Sequence, residues 1–227
     1  LKIYMHPIST TSRPVRLFAA EIQLTMEEEV VDILAGAQHQ EPFVSINPNR
    51  LIPMLEDGDL RLTESVSILR YLAEKSGSPA YPSDPEERAR VNEMLDWLNS
   101  NFYRDFGYGL VYPQVVPYHR RQTEQAQAAT LAWAKDKSEV WLRRLEDHWL
   151  AHGKPHLCAS GLTIADYFGA CVVTLGEVIG CEYTSYPRVQ RWLEHMKALP
   201  NWESVNEAFD SLKNEYSTHE FVSIRNA

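Results

Sequence analysis

Residues 47–69 read NPNRLIPMLEDGDLRLTESVSIL and carry the sharpest structural punctuation in the chain. Asp57-Gly58 separates two short runs, Pro53–Glu56 and Leu60–Thr63. That is a β-hairpin signal, because a two-residue turn needs positions that tolerate positive φ. Pro53 opens the first run and removes a ladder donor. The run therefore reads as an edge strand, or as one entered through a cis Ile52–Pro53 bond that presents the backbone of Ile52 to an extended ligand. Glu64–Lys75 then places Val66, Ile68, Leu69 and Leu72 at helical spacing. Two readings of its start stand side by side. Thr63 or Ser65 caps the helix, with an acid in the first turn. Alternatively, Ser65 and its N–H receive a ligand carboxylate while Glu64 meets an ammonium, the pair of charges that an amino-acid end presents.

Upstream, Leu1–Met5 reads as a strand, Pro14–Ile22 as a helix, Met26–Ile33 as a strand with a charged start, and Gln40–Ile46 as a short helix or irregular turn. The order strand, helix, strand, helix, strand, strand, helix implies a small mixed sheet with helices on its faces. Downstream, the proline- and serine-rich stretch SGSPAYPSDPEER has linker composition. Beyond it the chain reads as helices over Glu86–Tyr112, Thr123–Leu150, Thr163–Ile179, Pro187–Leu199 and Trp202–Lys213. Thr163–Ile179 is apolar all round and predicts a central buried helix. The expected class is α/β plus all-α. The division is a βαβαββα unit over 1–77, a linker over 78–85 and a helical unit over 86–227.

The whole chain has 227 residues, 44% apolar and 23% charged, which is ordinary globular composition. No apolar run reaches the ~18–20 residues that a membrane span needs. The start, LKIYMHPIS, lacks the charged and apolar regions of a signal peptide. A net charge of −9 repels phosphate backbones, which argues against bulk nucleic-acid binding. Cys158, Cys171 and Cys181 form no CxxC and no dense framework, which fits a reducing cytoplasm.

His6-Pro-Ile-Ser-Thr-Thr-Ser-Arg-Pro14 joins the first strand to the first helix. Four consecutive hydroxyl residues, Ser9 to Ser12, stand before the helix. Capping explains one of them, with Ser12 well placed and Pro14 just inside. The other reading is an anion site at the helix N-terminus, where free N–H groups stabilise a thiolate or carboxylate. His148, His152 and His156 are spaced by four, yet Gly153 and Pro155 break the helix between them and no other ligand completes a metal site. No metal is expected. Gly107-Tyr-Gly109 follows no strand and reads as tight-turn or helix-end usage.

Taken together, these pieces resemble the glutathione transferase superfamily over essentially the whole chain. The resemblance rests on the turn ending Ser12-Arg13, on Asn47-Pro48 leading to Ile52-Pro53, on Glu56-Asp-Gly-Asp59, on Leu62-Thr-Glu-Ser-Val-Ser-Ile-Leu69 with Tyr71-Leu72, and on Gly161-Leu-Thr-Ile-Ala-Asp-Tyr167. The last looks like that family's buried capping box, in which Thr163 and Asp166 bond reciprocally. The resemblance implies a thioredoxin-like domain followed by an all-helical one, usually a homodimer, with glutathione as co-substrate and a role in detoxification.

It also sorts the hydroxyls. Theta- and delta-like members carry a catalytic Ser three residues before the Ser/Cys-Arg pair, which is Ser9 here; Thr10 and Thr11 are the fallbacks. Tyrosine-using members place their Tyr at the position of Met5, and Tyr4 is one residue off, on the opposite face. The resemblance gives Ile52, followed by Pro53, the backbone pairing with the cysteinyl part of glutathione. It gives Glu64 and Ser65 the γ-glutamyl end. Gln38 stands where theta-like members often have His, and Leu51 where some have Lys. Both departures remove charge from the glycyl end, at about 1–2 kcal/mol of affinity; Arg50 or His39 are the candidates to compensate.

A free thiol with pKa ~8.5 is mostly protonated at pH 7, and lowering that by about two units is worth roughly 2.7 kcal/mol. Ser9 would do this as a donor to sulfur. No GxSxG elbow surrounds it, so it does not read as a nucleophile. The second substrate, a small hydrophobic electrophile, is expected between the domains. Tyr103, Phe106 and Leu110 form one helical stripe there, read either as core packing or as electrophile contacts. The function that follows is a Ser-type glutathione transferase. The alternatives are a specialised glutathione-dependent dehalogenase or isomerase, and a glutathione-binding or structural module without chemistry.

Overall fold

The computed structural model describes residues 1–225; residues 226–227, the end of the expected helical unit, lie outside the described residues. Among the described residues four strands form one sheet in the order β2-β1-β3-β4. The inner strand β1 (Lys2–Met5) pairs in parallel with β2 (Glu27–Val30) and antiparallel with β3 (Met54–Asp57), Ile3 lying opposite Leu55. The hairpin to β4 (Leu60–Leu62) closes through Asp57 and Leu60, with Gly58 at φ 60° in the turn. The edge reading of Pro53 does not hold. β3 is an inner strand, and Pro53 stands just ahead of it, after a cis Ile52–Pro53 bond. The edges are β2 and β4, and β2 is shorter than the expected Met26–Ile33. Its three glutamates stay in solvent, where Lys2 bridges Glu27 and Glu29 at 3.1 and 3.2 Å.

Strand alternation sends side chains to two faces. On one face Ile3, Met5 and Leu55 meet Val15, Leu17 and Phe18 of α1 (Ser12–Glu21) and Ile68, Leu69 and Leu72 of α3 (Ser65–Ser76). On the other, Tyr4, Met54 and Val31 form a small cluster with Phe43 of the short α2 (Phe43–Ile46).

Asp84 caps α4 (Pro85–Trp97) by accepting from the N–H groups of Glu86 and Glu87, both at 3.0 Å. The helix continues through wider π-helical turns, Leu98–Phe102 and Arg104–Val111, into α5 (Tyr112–Val115). α6 (Glu124–Arg144) follows, then α7 (Ile164–Thr174), α8 (Pro187–Lys197) and α9 (Trp202–Glu215). Every residue of α7 is buried, as its unbroken apolar sequence requires, and the Thr163–Asp166 capping box opens it.

Arg13 fastens the first half to the second. It is fully buried, donates to Asn206 Oδ1 on α9 at 2.8 Å and to the Cys171 carbonyl on α7 at 2.7 Å, and lies 3.6 Å from the centroid of the Phe209 ring. The hydroxyl turn just before it is thereby held against the helical half. Gly107 and Gly109 occupy neither a tight turn nor a helix end. They lie inside the long helix, where a Cβ on Gly107 would stand 2.5 Å from the Tyr103 ring and one on Gly109 2.9 Å from Ala134. Close approach, not turn geometry, explains both. His156 pairs with His195, ring centroids 5.0 Å apart.

Candidate active site

A cavity of about 370 Å³ lies in the cleft between the two halves. Its sheet-side wall is made by Thr11, Asn49, Leu51, Ile52, Pro53, Thr63, Glu64 and Ser65. The helical wall is made by Asn99, Ser100, Tyr103, Arg104 and Tyr108. The buried side chain of Asn47 sets the loop before β3. Its Nδ2 donates to the Leu51 carbonyl at 2.7 Å and its Oδ1 accepts from the Asn49 N–H at 3.1 Å. That clamp sets the loop whose Asn49, Leu51 and Ile52 reach the cavity wall.

The start of α3 forms one end of the site. Neither Thr63 nor Ser65 caps it, contrary to the capping reading; among the described residues no side chain does. Glu64 occupies the N-cap position at φ 66°, a left-handed conformation that costs a non-glycine residue on the order of 1–3 kcal/mol. Thr63, Glu64 and Ser65 thus bring this helix start to the cavity wall, and its first N–H groups have the positive dipole end and no intrahelical acceptor. A carboxylate suits them, and the Glu64 side chain beside them suits a cation.

The hydroxyl turn lies close by. Ser9 Oγ accepts from the Ser12 N–H at 3.2 Å, so Ser9 covers a donor at the start of α1. Ser12, the residue expected to cap, is fully buried and its own hydroxyl has no partner among the described residues. Ser9 Oγ stands 3.3 Å from Thr11 Oγ1, and Thr11 Oγ1 donates to the Ile52 carbonyl at 3.2 Å. Thr11 has spent its proton on Ile52, so the bond between the two hydroxyls runs from Ser9 to Thr11. Thr11 lines the cavity; Ser9, bonded to it, does not. Thr10 is buried and receives the Tyr112 hydroxyl at 2.9 Å.

The sequence-derived candidates divide accordingly. Leu51, Ile52, Pro53, Glu64, Ser65 and Tyr103 line one cavity. Gln38 does not; it is buried in the 3-10 turn Ala37–His39, with its Oε1 unpartnered among the described residues. Leu51 is 61% exposed and brings no charge to the cavity. Phe106 and Leu110 are corrected to core residues. Both are fully buried, and Phe106 packs on Phe102 with centroids 4.9 Å apart. The reason is helical phase. Phe102, Phe106 and Leu110 share the stripe that faces the core, and the neighbouring stripe of Asn99, Ser100, Arg104 and Tyr108 faces the cavity. The polar residues interrupting the aromatic run were the signal for that second stripe. Burial lifts the Tyr112 phenol up to about 12 and, with the adjacent phenols, raises that of Tyr103 well above its ordinary value. Both stay neutral hydrogen-bonding groups across the working pH range. Among the described residues no cluster of three or more His, Cys, Asp or Glu side chains is placed to hold a metal ion.

Comparison with known proteins follows the same division of the chain. Residues 1–74 match the pattern described as "Glutathione S-transferase, N-terminal domain", and residues 112–205 the pattern described as "Glutathione S-transferase, C-terminal domain". Human glutathione S-transferase theta-1 is 31% identical over 215 residues, covering 92% of this chain and 88% of that protein. A human theta-class glutathione transferase solved in complex with the glutathione conjugate of 1-menaphthyl sulfate superposes with a TM-score of 0.85 at 29% identity, covering 96% of this chain and 88% of that one. Human glutathione transferase theta-2, solved in complex with glutathione, gives a TM-score of 0.83 at 28% identity, covering 98% and 93%.

Proposed function

As the chain belongs to the glutathione S-transferase family, we propose that it binds glutathione in the cleft, activates its thiol and transfers the sulfur to a small electrophile. The observation that carries this reading is the uncapped N-terminus of α3, with Glu64 and Ser65, lining the same cavity as Ile52 and Thr11, whose hydroxyl is bonded to that of Ser9. The α3 N–H groups and the Ser65 hydroxyl hold the γ-glutamyl carboxylate, and Glu64 holds its ammonium. The backbone of Ile52 pairs with the cysteinyl part. Ser9, whose proton lies on Thr11 in the free protein, turns it to the sulfur and stabilises the thiolate as a donor.

Residues 1–77 form the glutathione-binding unit in this reading and 86–227 the electrophile-binding unit, joined by 78–85. Tyr103, with Tyr108, Asn99, Ser100 and Arg104, faces the second substrate. Phe106 and Leu110 support that wall from the core side. Gln38 acts on the glycyl end only through the backbone of its turn, and Leu51 covers that end without a charge. Family membership further supports a cytoplasmic homodimer acting in detoxification, and the three free, buried cysteines agree with a reducing compartment.

The test is a pH titration of the ultraviolet absorbance of bound glutathione thiolate in the native chain and in Ser9→Ala. The native site should lower the thiol pKa by about two units, and Ser9→Ala should restore most of it. Binding with an unshifted thiol would mean a binding module without chemistry, and absence of binding would end both readings. A panel of haloalkanes, aryl halides and epoxides then assigns the reaction as conjugation, dehalogenation or isomerisation.

A further inference from the structure

Thr10, like Ser12, is a hydroxyl of the turn that the proposed chemistry leaves unused. It is neither a cap nor part of the cavity wall, yet it is buried and bonded across the domain interface. The Tyr112 O–H donates to Thr10 Oγ1 at 2.9 Å, and the Tyr112 and Tyr103 oxygens lie 2.5 Å apart. A phenol has one proton to give. That of Tyr112 goes to Thr10, so Tyr103 donates to Tyr112. The bonds form a directed series, from Tyr103, which lines the cavity, through Tyr112 to the residue between Ser9 and Thr11. In such a series each acceptor becomes a better donor, by an amount on the order of 10–30% per bond.

The surroundings hold the series rigid. The Tyr103 and Tyr112 rings meet at 78° with centroids 6.1 Å apart, Tyr108 meets Tyr112 edge-on at 5.1 Å, and His119 stacks on Tyr112 at 5.4 Å. The missing side chain at Gly107 leaves the space that the Tyr103 ring occupies. High phenol pKa values keep both tyrosines protonated, so the chain does not break by titration near neutral pH.

We infer that Tyr103, Tyr112 and Thr10 form a hydroxyl chain that fixes the Ser9–Thr11 turn from across the domain interface, which makes Tyr112 and Thr10 positioning residues for thiol activation. The inference rests on the glutathione-activating reading of this site. Thr10 acts through its two neighbours: held by Tyr112, it sets the direction in which Ser9 presents its proton and the reach of Thr11 to Ile52. The chain also orients the cavity-facing oxygen of Tyr103. Its proton is engaged by Tyr112, so that oxygen offers lone pairs to the second substrate.

The test uses the full chain with glutathione as the probe and compares Tyr112→Phe, Thr10→Val and Thr10→Ser with native protein and Ser9→Ala. Tyr112→Phe keeps the ring packing and Thr10→Val keeps the side-chain shape, so each removes a hydroxyl without opening a cavity. Both should reduce the fraction of bound thiolate at pH 6.5 by about two- to fivefold, and Thr10→Ser should restore it. A purely structural role would lower the melting temperature and leave the thiolate titration where it was. A Ser9→Ala shift without one in Tyr112→Phe and Thr10→Val overturns the chain and leaves the glutathione reading intact. A native protein that binds glutathione with an unshifted thiol overturns both.

Discussion

Replacing Asp166 with alanine should destabilise the protein far more than any change of surface charge. The Asp166 carboxylate is fully buried and accepts four bonds: from the N–H groups of Leu157 at 2.6 Å and Thr163 at 2.8 Å, the indole N–H of Trp192 at 3.0 Å, and the Thr163 hydroxyl at 3.1 Å. The hydroxyl can rotate to another acceptor. The three N–H donors belong to the loop before α7, to its cap and to α8, and none can turn away. Each buried donor left without an acceptor costs about 1–3 kcal/mol, and the three share one site, so their sum is not additive. The expected loss is about 3–5 kcal/mol, a large part of the ~5–15 kcal/mol that holds an ordinary domain folded. Urea unfolding followed by circular dichroism would read it as a lower midpoint at an unchanged slope. A loss below about 1 kcal/mol would refute the assignment of Asp166 as the acceptor joining these three elements. A pH series gives a second readout. Burial pushes the Asp166 carboxyl up to about 6, above the ~3.9 of an unfolded chain. The folded state therefore holds this proton more tightly. The stability it contributes is complete below about pH 4 and is lost as the pH rises through about 6. Asp166→Asn does not titrate and should flatten that slope.

Two further outcomes test the site. Gly107→Ala places a methyl 2.5 Å from the Tyr103 ring, so the ring must move; the gain of about 1 kcal/mol in helix propensity should be outweighed by a strain of ~1–3 kcal/mol, and KM for the electrophile should rise more than KM for glutathione. Glu64→Gly and Glu64→Ala both remove the carboxylate, but only glycine accepts φ 66° freely, so Glu64→Gly should be the more stable by about 1 kcal/mol in thermal unfolding while both lose glutathione affinity alike.

Local chemistry made the first half legible. Asp57-Gly58 dictates a hairpin wherever it stands between short apolar runs, and β3 and β4 form around it. The Thr163–Asp166 spacing dictates a capping box because both partners lie on one turn of backbone. Ile52, Glu64 and Ser65 line one cavity, and the sequence marks all three because each stands at a strand entry or a helix start signalled within a few residues.

What the sequence left open depended on groups distant along the chain. It offered capping at Thr63 or Ser65, and the fold left α3 uncapped, because the start of this helix opens onto a cavity rather than a side chain. It offered Ser12 as the cap of α1, and the turn gave that bond to Ser9. Phe106 and Leu110 share a stripe that periodicity finds, yet periodicity carries no absolute phase. Only the packing of the long helix against the rest of the core decides that this stripe turns inward and that Asn99, Arg104 and Tyr108 turn to the cleft. The bond between Tyr112 and Thr10 is the extreme case, since its partners are separated by 102 positions. Secondary structure and caps arise from forces that act over one or two turns of chain, so a sequence contains them. The facing of a stripe and the partner of a buried hydroxyl arise from which surfaces meet, and that is determined only when the two halves close on one another.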